Sequence, residues 1–159
     1  MIRKFLGAAL ASLAIPAAAQ STPATNYSDL WWNPAESGWG VSITQHPGTH
    51  QVFAVWYTYD PRKEAGGQNK PLWIVMPGGA WTSPTTLTGP VYVTAGVPFN
   101  QPGSALRTSP VGSFTFNFAD AGNGQFSYNI SPPAGLAASN PAYNLPPMSG
   151  TKTITRQSF

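Results

Sequence analysis

VGSFTFNFADAGNGQFSYNIS, residues 111–131, holds two strands and the turn between them. Gly112, Phe114, Phe116 and Phe118 fall on one side of an extended chain, and Ser113, Thr115 and Asn117 on the other. Phe126, Tyr128 and Ile130 repeat the pattern against Gln125, Ser127 and Asn129. A period of two with one apolar and one polar face marks antiparallel strands that bury one side and wet the other. Between them, Gly122-Asn123-Gly124 offers the Asn-Gly pair that tight hairpins favour, because both residues accept positive φ. The unit reads as a hairpin with an aromatic inner face.

Working outward, no stretch has a convincing helical period, whereas short β-type runs recur. They predict strands over 27–33, 38–45, 51–59, 71–76, 85–94, 111–118, 125–131 and 151–159, rich in Val, Ile, Thr, Tyr, Phe and Trp. The connectors carry turn chemistry, as in Pro47-Gly48 and Pro77-Gly78-Gly79. The run 60–70 is the most charged connector and reads as a solvated loop. In the third strand Val52, Ala54 and Trp56 oppose Phe53, Val55, Tyr57 and Tyr59, so both faces are apolar and the strand reads as central. Short connections imply sequential antiparallel pairing. The expected fold is all-β, a single up-and-down barrel of about eight strands whose first strand pairs with its last and so removes free edges. A two-sheet β-sandwich is the alternative. Residues 132–150 hold five prolines and interrupt the last hairpin, as a surface excursion or a flap, since proline cannot sit in a central strand.

The N-terminus predicts export. Arg3 and Lys4 precede an apolar run from Phe5 to Ile15, then Pro16 and Ala17-Ala18-Ala19. That order describes a signal peptide over 1–19 with cleavage after Ala19, too short in its apolar run for a membrane span. Residues 20–26 form a polar spacer and 27–159 one β domain, periplasmic or extracellular. Without the leader, six basic side chains face five acidic ones, a net charge of +1. No basic stripe could track phosphates, so nucleic acid is not an expected partner. Cysteine is absent, which excludes thiol catalysis and thiolate metal sites and leaves the core to hold the fold.

The chemistry concentrates in WWNPAESGWG, residues 31–40, with three of the six tryptophans and one of the five acidic side chains. Trp31 and Asn33 alternate onto one face, Pro34 ends the ladder, and Glu36 and Ser37 hang at the rim. A barrel mouth lined by indoles and a few polar groups suits a sugar or small amphipathic ligand. The candidate ligand-binding residues are Trp31, Asn33, Glu36, Ser37, Trp39, Trp56 and Trp73. The competing reading gives the aromatics a place in the core and makes Glu36 a turn cap. Glycoside hydrolysis usually needs two carboxylates several Å apart, and Glu36 has partners for it only in Asp29, Asp60, Glu64 and Asp120. His46 and His50 flank one turn, with no nearby carboxylate to complete a metal site. No catalytic residue, metal or cofactor is assigned. Phe159 ends the chain on an aromatic, as outer-membrane barrels often do, but the threonines and the basic residues of the last strand suit neither face to lipid.

Two resemblances follow from these residues. Tyr27-Ser28-Asp29-Leu30 with WWNPAESGWG, the run Phe53 to Asp60, the segment Pro71 to Met76 and the ending Thr153 to Gln157 resemble a module that recurs in exported proteobacterial proteins, alone or attached to secreted enzymes. The likeness covers nearly the whole chain after the leader, implies export and a self-contained domain, and brings no activity with it. The chain departs from it in the proline-rich insertion. Trp31-x-Asn33-x-x-x-Ser37 is similar to the opening strand and loop of the avidin and streptavidin barrels, which implies that Asn33 and Ser37 point into a ligand cavity.

The leading expectation is an exported, non-catalytic β-barrel that binds a small molecule or carbohydrate. An interaction module that holds a protein or the cell envelope through an exposed aromatic patch is the alternative. A hydrolase acting through Glu36 ranks third.

Overall fold

A computed structural model describes residues 21–62, 67, 69–101 and 106–159. The expected signal peptide and Glu64 lie outside the described residues. Eight antiparallel strands close into a barrel in chain order: β1 Asp29–Asn33, β2 Glu36–Gln45, β3 Val52–Tyr59, β4 Pro71–Ser83, β5 Thr86–Ala95, β6 Arg107–Phe118, β7 Asn123–Ile130 and β8 Met148–Arg156. The described residues contain no helix, so none is long and apolar enough to cross a membrane. The up-and-down barrel is the expected fold, and the sandwich is not formed. In a closed ring no strand is central, and β3 instead turns Tyr57 and Tyr59 outward while Ala54 and Trp56 fill the interior.

The interior is packed with aromatic side chains. Phe114, Phe116, Phe118 and Phe126 are fully buried, with neighbouring rings 5.0–6.3 Å apart. One end of the barrel, at the turns 46–51, 84–85 and 119–122, is plugged by Tyr27, Trp31 and Trp81 around Phe118. Tyr27 stacks on Phe118 at 4.0 Å. The buried indoles keep partners: Trp31 Nε1 donates to the Tyr27 carbonyl and Trp81 Nε1 to the His50 carbonyl, each at 3.0 Å.

Three local expectations change. Pro77-Gly78-Gly79 does not end the fourth strand, which runs on to Ser83 through a register shift against both neighbours. The irregularity moves the inward set from Leu72, Ile74 and Met76 to Gly79 and Trp81, which is how Trp81 reaches the plug. In β6 a bulge at Val111 and Gly112 makes the same correction: Ser109 and Val111 are buried upstream, Phe114 and Phe116 downstream, and Gly112 is exposed. Asn123-Gly124 opens β7 instead of making the turn. There Asp120 Oδ1 accepts the Gly122 and Asn123 amides at 2.7 and 2.8 Å, so a carboxylate-capped turn replaces the two-residue hairpin.

Residues 132–147 fold as a chain of turns over the other, loop-rich end. Ala142 and Leu145 are buried against the core. Arg62 Nη1 donates to the carbonyls of Pro141 and Tyr143 at 2.9 and 2.8 Å, and Arg107 Nη1 to that of Ser139 at 2.7 Å. Arg62 is itself held by Asp60. Burial pushes the Asp60 carboxyl up, but the Arg62 side chain and amide outweigh it and hold the carboxyl below its ordinary value.

Candidate functional site

At the loop-rich end the hydrogen-bonded wall is incomplete. Asn33 Oδ1 accepts the Ala35 amide at 2.9 Å and closes the β1–β2 turn at Pro34. β1 is therefore short, and its ladder with β8 is only two pairs long, Trp31↔Arg156 and Trp32↔Thr155. The β2–β3 ladder stops at Gly40↔Tyr57, so Trp39 and Thr58 belong to strands that part company at the rim. Gly38, at φ +96°, takes the left-handed conformation that lets β2 bend there.

Side chains bridge the gap that the backbone leaves. Glu36 accepts two hydrogen bonds from Lys152 Nζ, at 2.8 and 3.0 Å, joining β2 to β8. Trp39 Nε1 donates to the same carboxylate at 3.2 Å. The Lys152 hydrogen bond holds the Glu36 carboxyl below its ordinary value, with Trp39 assisting, and the Glu36 hydrogen bond raises Lys152. Both groups are half-buried and keep opposite charges through the neutral range.

Beneath this pair lies a cavity of about 210 Å³, walled by Glu36, Lys152, Trp39, Trp56, Thr58, Phe126 and Tyr128. The Trp56 and Tyr128 rings lie 4.7 Å apart. Tyr128 has room because Gly150 opposes it across the β7–β8 ladder: a Cβ there would come within 2.8 Å of the phenol oxygen. Trp56 is 7% exposed, and its buried Nε1–H has no hydrogen-bond partner in the protein.

Outside the same rim runs a groove of about 300 Å³ between Gly38, Tyr57, Tyr59, Pro71 and Trp73, with Trp39 and Thr58 in its floor. Tyr57 also lines a larger apolar groove of about 500 Å³ with Leu30, Trp31, Trp32, Gly40, Gln157 and Phe159.

The structure brings three of the seven sequence-derived residues, Glu36, Trp39 and Trp56, into one cavity. Trp31 is fully buried in the plug at the opposite end, where the Arg156 guanidinium lies 5.1 Å from its ring centre. Asn33 caps the turn, Ser37 is exposed beside it, and neither lines the cavity. Trp73 stands on the outer face, 60% exposed. Sequence reasoning missed Lys152, Tyr128, Thr58 and Phe126. A signal for Lys152 was present: it shares the inward face of β8 with Ile154, and a cation on an inward face calls for an acid. His46 Nδ1 accepts the Gly48 and Thr49 amides and shapes its own turn. Among the described residues, no group of three or more His, Asp or Glu is placed to hold a metal.

In comparisons with known proteins, no family model, no curated protein and no solved structure matches this chain.

Proposed function

We propose that the protein is an exported β-barrel that binds a small polar ligand, of the size of one sugar ring, in the cavity at its loop-rich end. The observation that carries this reading is the Glu36–Lys152 pair set beside Trp39 and Trp56 around one cavity. Aromatic faces supply contact area, and a few oriented polar groups supply direction. The carboxylate accepts hydrogen bonds while the ammonium and indole donate them, which suits a ligand whose groups do both.

Hydrolysis through Glu36 has less support. A general acid needs a raised pKa, whereas Lys152 lowers that of Glu36, and among the described residues no second carboxylate lines the cavity. An interaction module is favoured by one observation, the exposed outer aromatics Tyr57, Tyr59 and Trp73.

Intrinsic tryptophan fluorescence tests the proposal by titration with monosaccharides and small amphipathic metabolites. A saturable change that Lys152→Met weakens is expected, and no change with any of them overturns the reading.

A further inference from the structure

We infer that the ligand is a neutral carbohydrate chain, with one ring in the cavity and the next on the outer aromatic groove, so that Trp73 and Tyr59 form a second subsite. This rests on the cavity reading above and extends it in length and class. Two spaces that look separate share two walls, because Trp39 and Thr58 line both the inner cavity and the outer groove. The reason is the end of the β2–β3 ladder at Gly40↔Tyr57. Beyond that pair the two strands form no further ladder pair, and a chain can cross from inside to outside over the rim.

Size requires such a crossing. The inner space of about 210 Å³ falls below the roughly 300–1,000 Å³ of pockets that enclose larger ligands. It takes one ring, and anything longer must leave over Trp39 and Thr58. The groove outside is suited to receive it. Trp73 and Tyr59 are 60% and 56% exposed, Tyr57 meets Trp73 edge-on at 6.1 Å, and Gly38 offers bare backbone. Exposed flat aromatic faces stack against the C–H faces of sugar rings.

Charge sets the class. Glu36 and Lys152 neutralise each other within the cavity, and among the described residues no Asp, Glu, Lys, Arg or His lines the groove. Neither subsite selects a net charge. The polar residues of the inner wall are Glu36, Lys152, Thr58 and Tyr128, which bring a carboxylate acceptor, an ammonium donor and two hydroxyls. Adjacent sugar hydroxyls, each both donor and acceptor, satisfy that set.

The test is a length series. Calorimetry on the mature protein would compare glucose, N-acetylglucosamine and xylose with their β-1,4-linked dimers and trimers. In at least one series the dimer or trimer should bind about tenfold more tightly than the monomer, the gain expected of one good stacking contact. Trp73→Ala, at an exposed position, should abolish that gain and leave monosaccharide affinity within about twofold. Lys152→Met should weaken monomer and trimer alike. Equal affinity across every series, or a gain that survives Trp73→Ala with Tyr59→Ala, overturns the inference while the cavity reading stands. No binding of any sugar overturns the inference, and overturns the cavity reading too if no small amphipathic metabolite changes the tryptophan fluorescence.

Discussion

Glu36 and Lys152 show how one residue pair can hold together a wall that hydrogen bonding leaves open. The carboxyl is lowered and the ammonium raised by the same contact, so their contribution to stability has two limits. A group with a lowered folded pKa contributes above its unfolded value and loses that contribution as pH falls through the folded one. A group with a raised pKa contributes below its unfolded value and loses that as pH rises through the folded one. Thermal melting should therefore hold a plateau between the ordinary carboxyl value of 4.5 and the ordinary ammonium value of 10.5, with a fall as pH drops below the first and as it rises past the second. Lys152→Met should flatten the acid limb relative to wild type, as followed by circular dichroism. Tyr128 offers a second check at this scale. Gly150→Val should drive the phenol off its seat, since even a Cβ approaches the ring to 3.0 Å, and should weaken ligand binding more than it lowers the melting temperature.

At the scale of elements, the bulges decide which side chains reach the interior. Gly112 has φ +140°, and a Cβ there would lie 1.9 Å from the Asn129 carbonyl oxygen, on a neighbouring strand that cannot retreat without breaking its own ladder. Gly112→Ala should therefore cost about 3 kcal/mol or more, against about 1 kcal/mol for an ordinary substitution. Urea unfolding measures this, and a midpoint close to wild type would show that the bulge can move. Alternation across 112–118 and 125–130 made the sixth and seventh strands legible in the sequence. The full length of β4 was not legible, because Pro77-Gly78-Gly79 has the composition of a turn and serves here as an irregularity within a strand. Local chemistry permits both, and pairing on both sides selects the second.

For the whole molecule, stability rests on an aromatic interior with no disulfide to assist it. Phe126 is fully buried and meets Phe114, Phe116, Trp56 and Tyr128 at 5.0–5.7 Å. Phe126→Ala should destabilise by about 3–5 kcal/mol, the loss typical of a large core aromatic, and should enlarge the ligand cavity that Phe126 walls. The Arg62 contacts fasten the proline-rich segment to this body. Arg62→Ala should leave the barrel melting nearly unchanged while exposing residues 132–147 to proteolysis, as limited digestion would show. The proposed export makes its own prediction, that N-terminal sequencing of protein recovered outside the cytoplasm finds a chain that begins at Gln20.

By itself the sequence determined an all-β chain, the number of strands and their consecutive pairing, because alternation and turn chemistry are local properties. It also brought Glu36, Trp39 and Trp56 together as candidates, since few polar groups compete with them in so weakly charged a chain. Only the tertiary structure decided that Trp31 plugs one end while Trp39 and Trp56 line the other, and that Trp73 faces outward. It alone supplied Lys152, 116 residues from Glu36 along the chain and 2.8 Å away in space. The physical reason is closure: joining the first strand to the last sets register, bulges and strand ends together, and no local window of sequence contains that constraint.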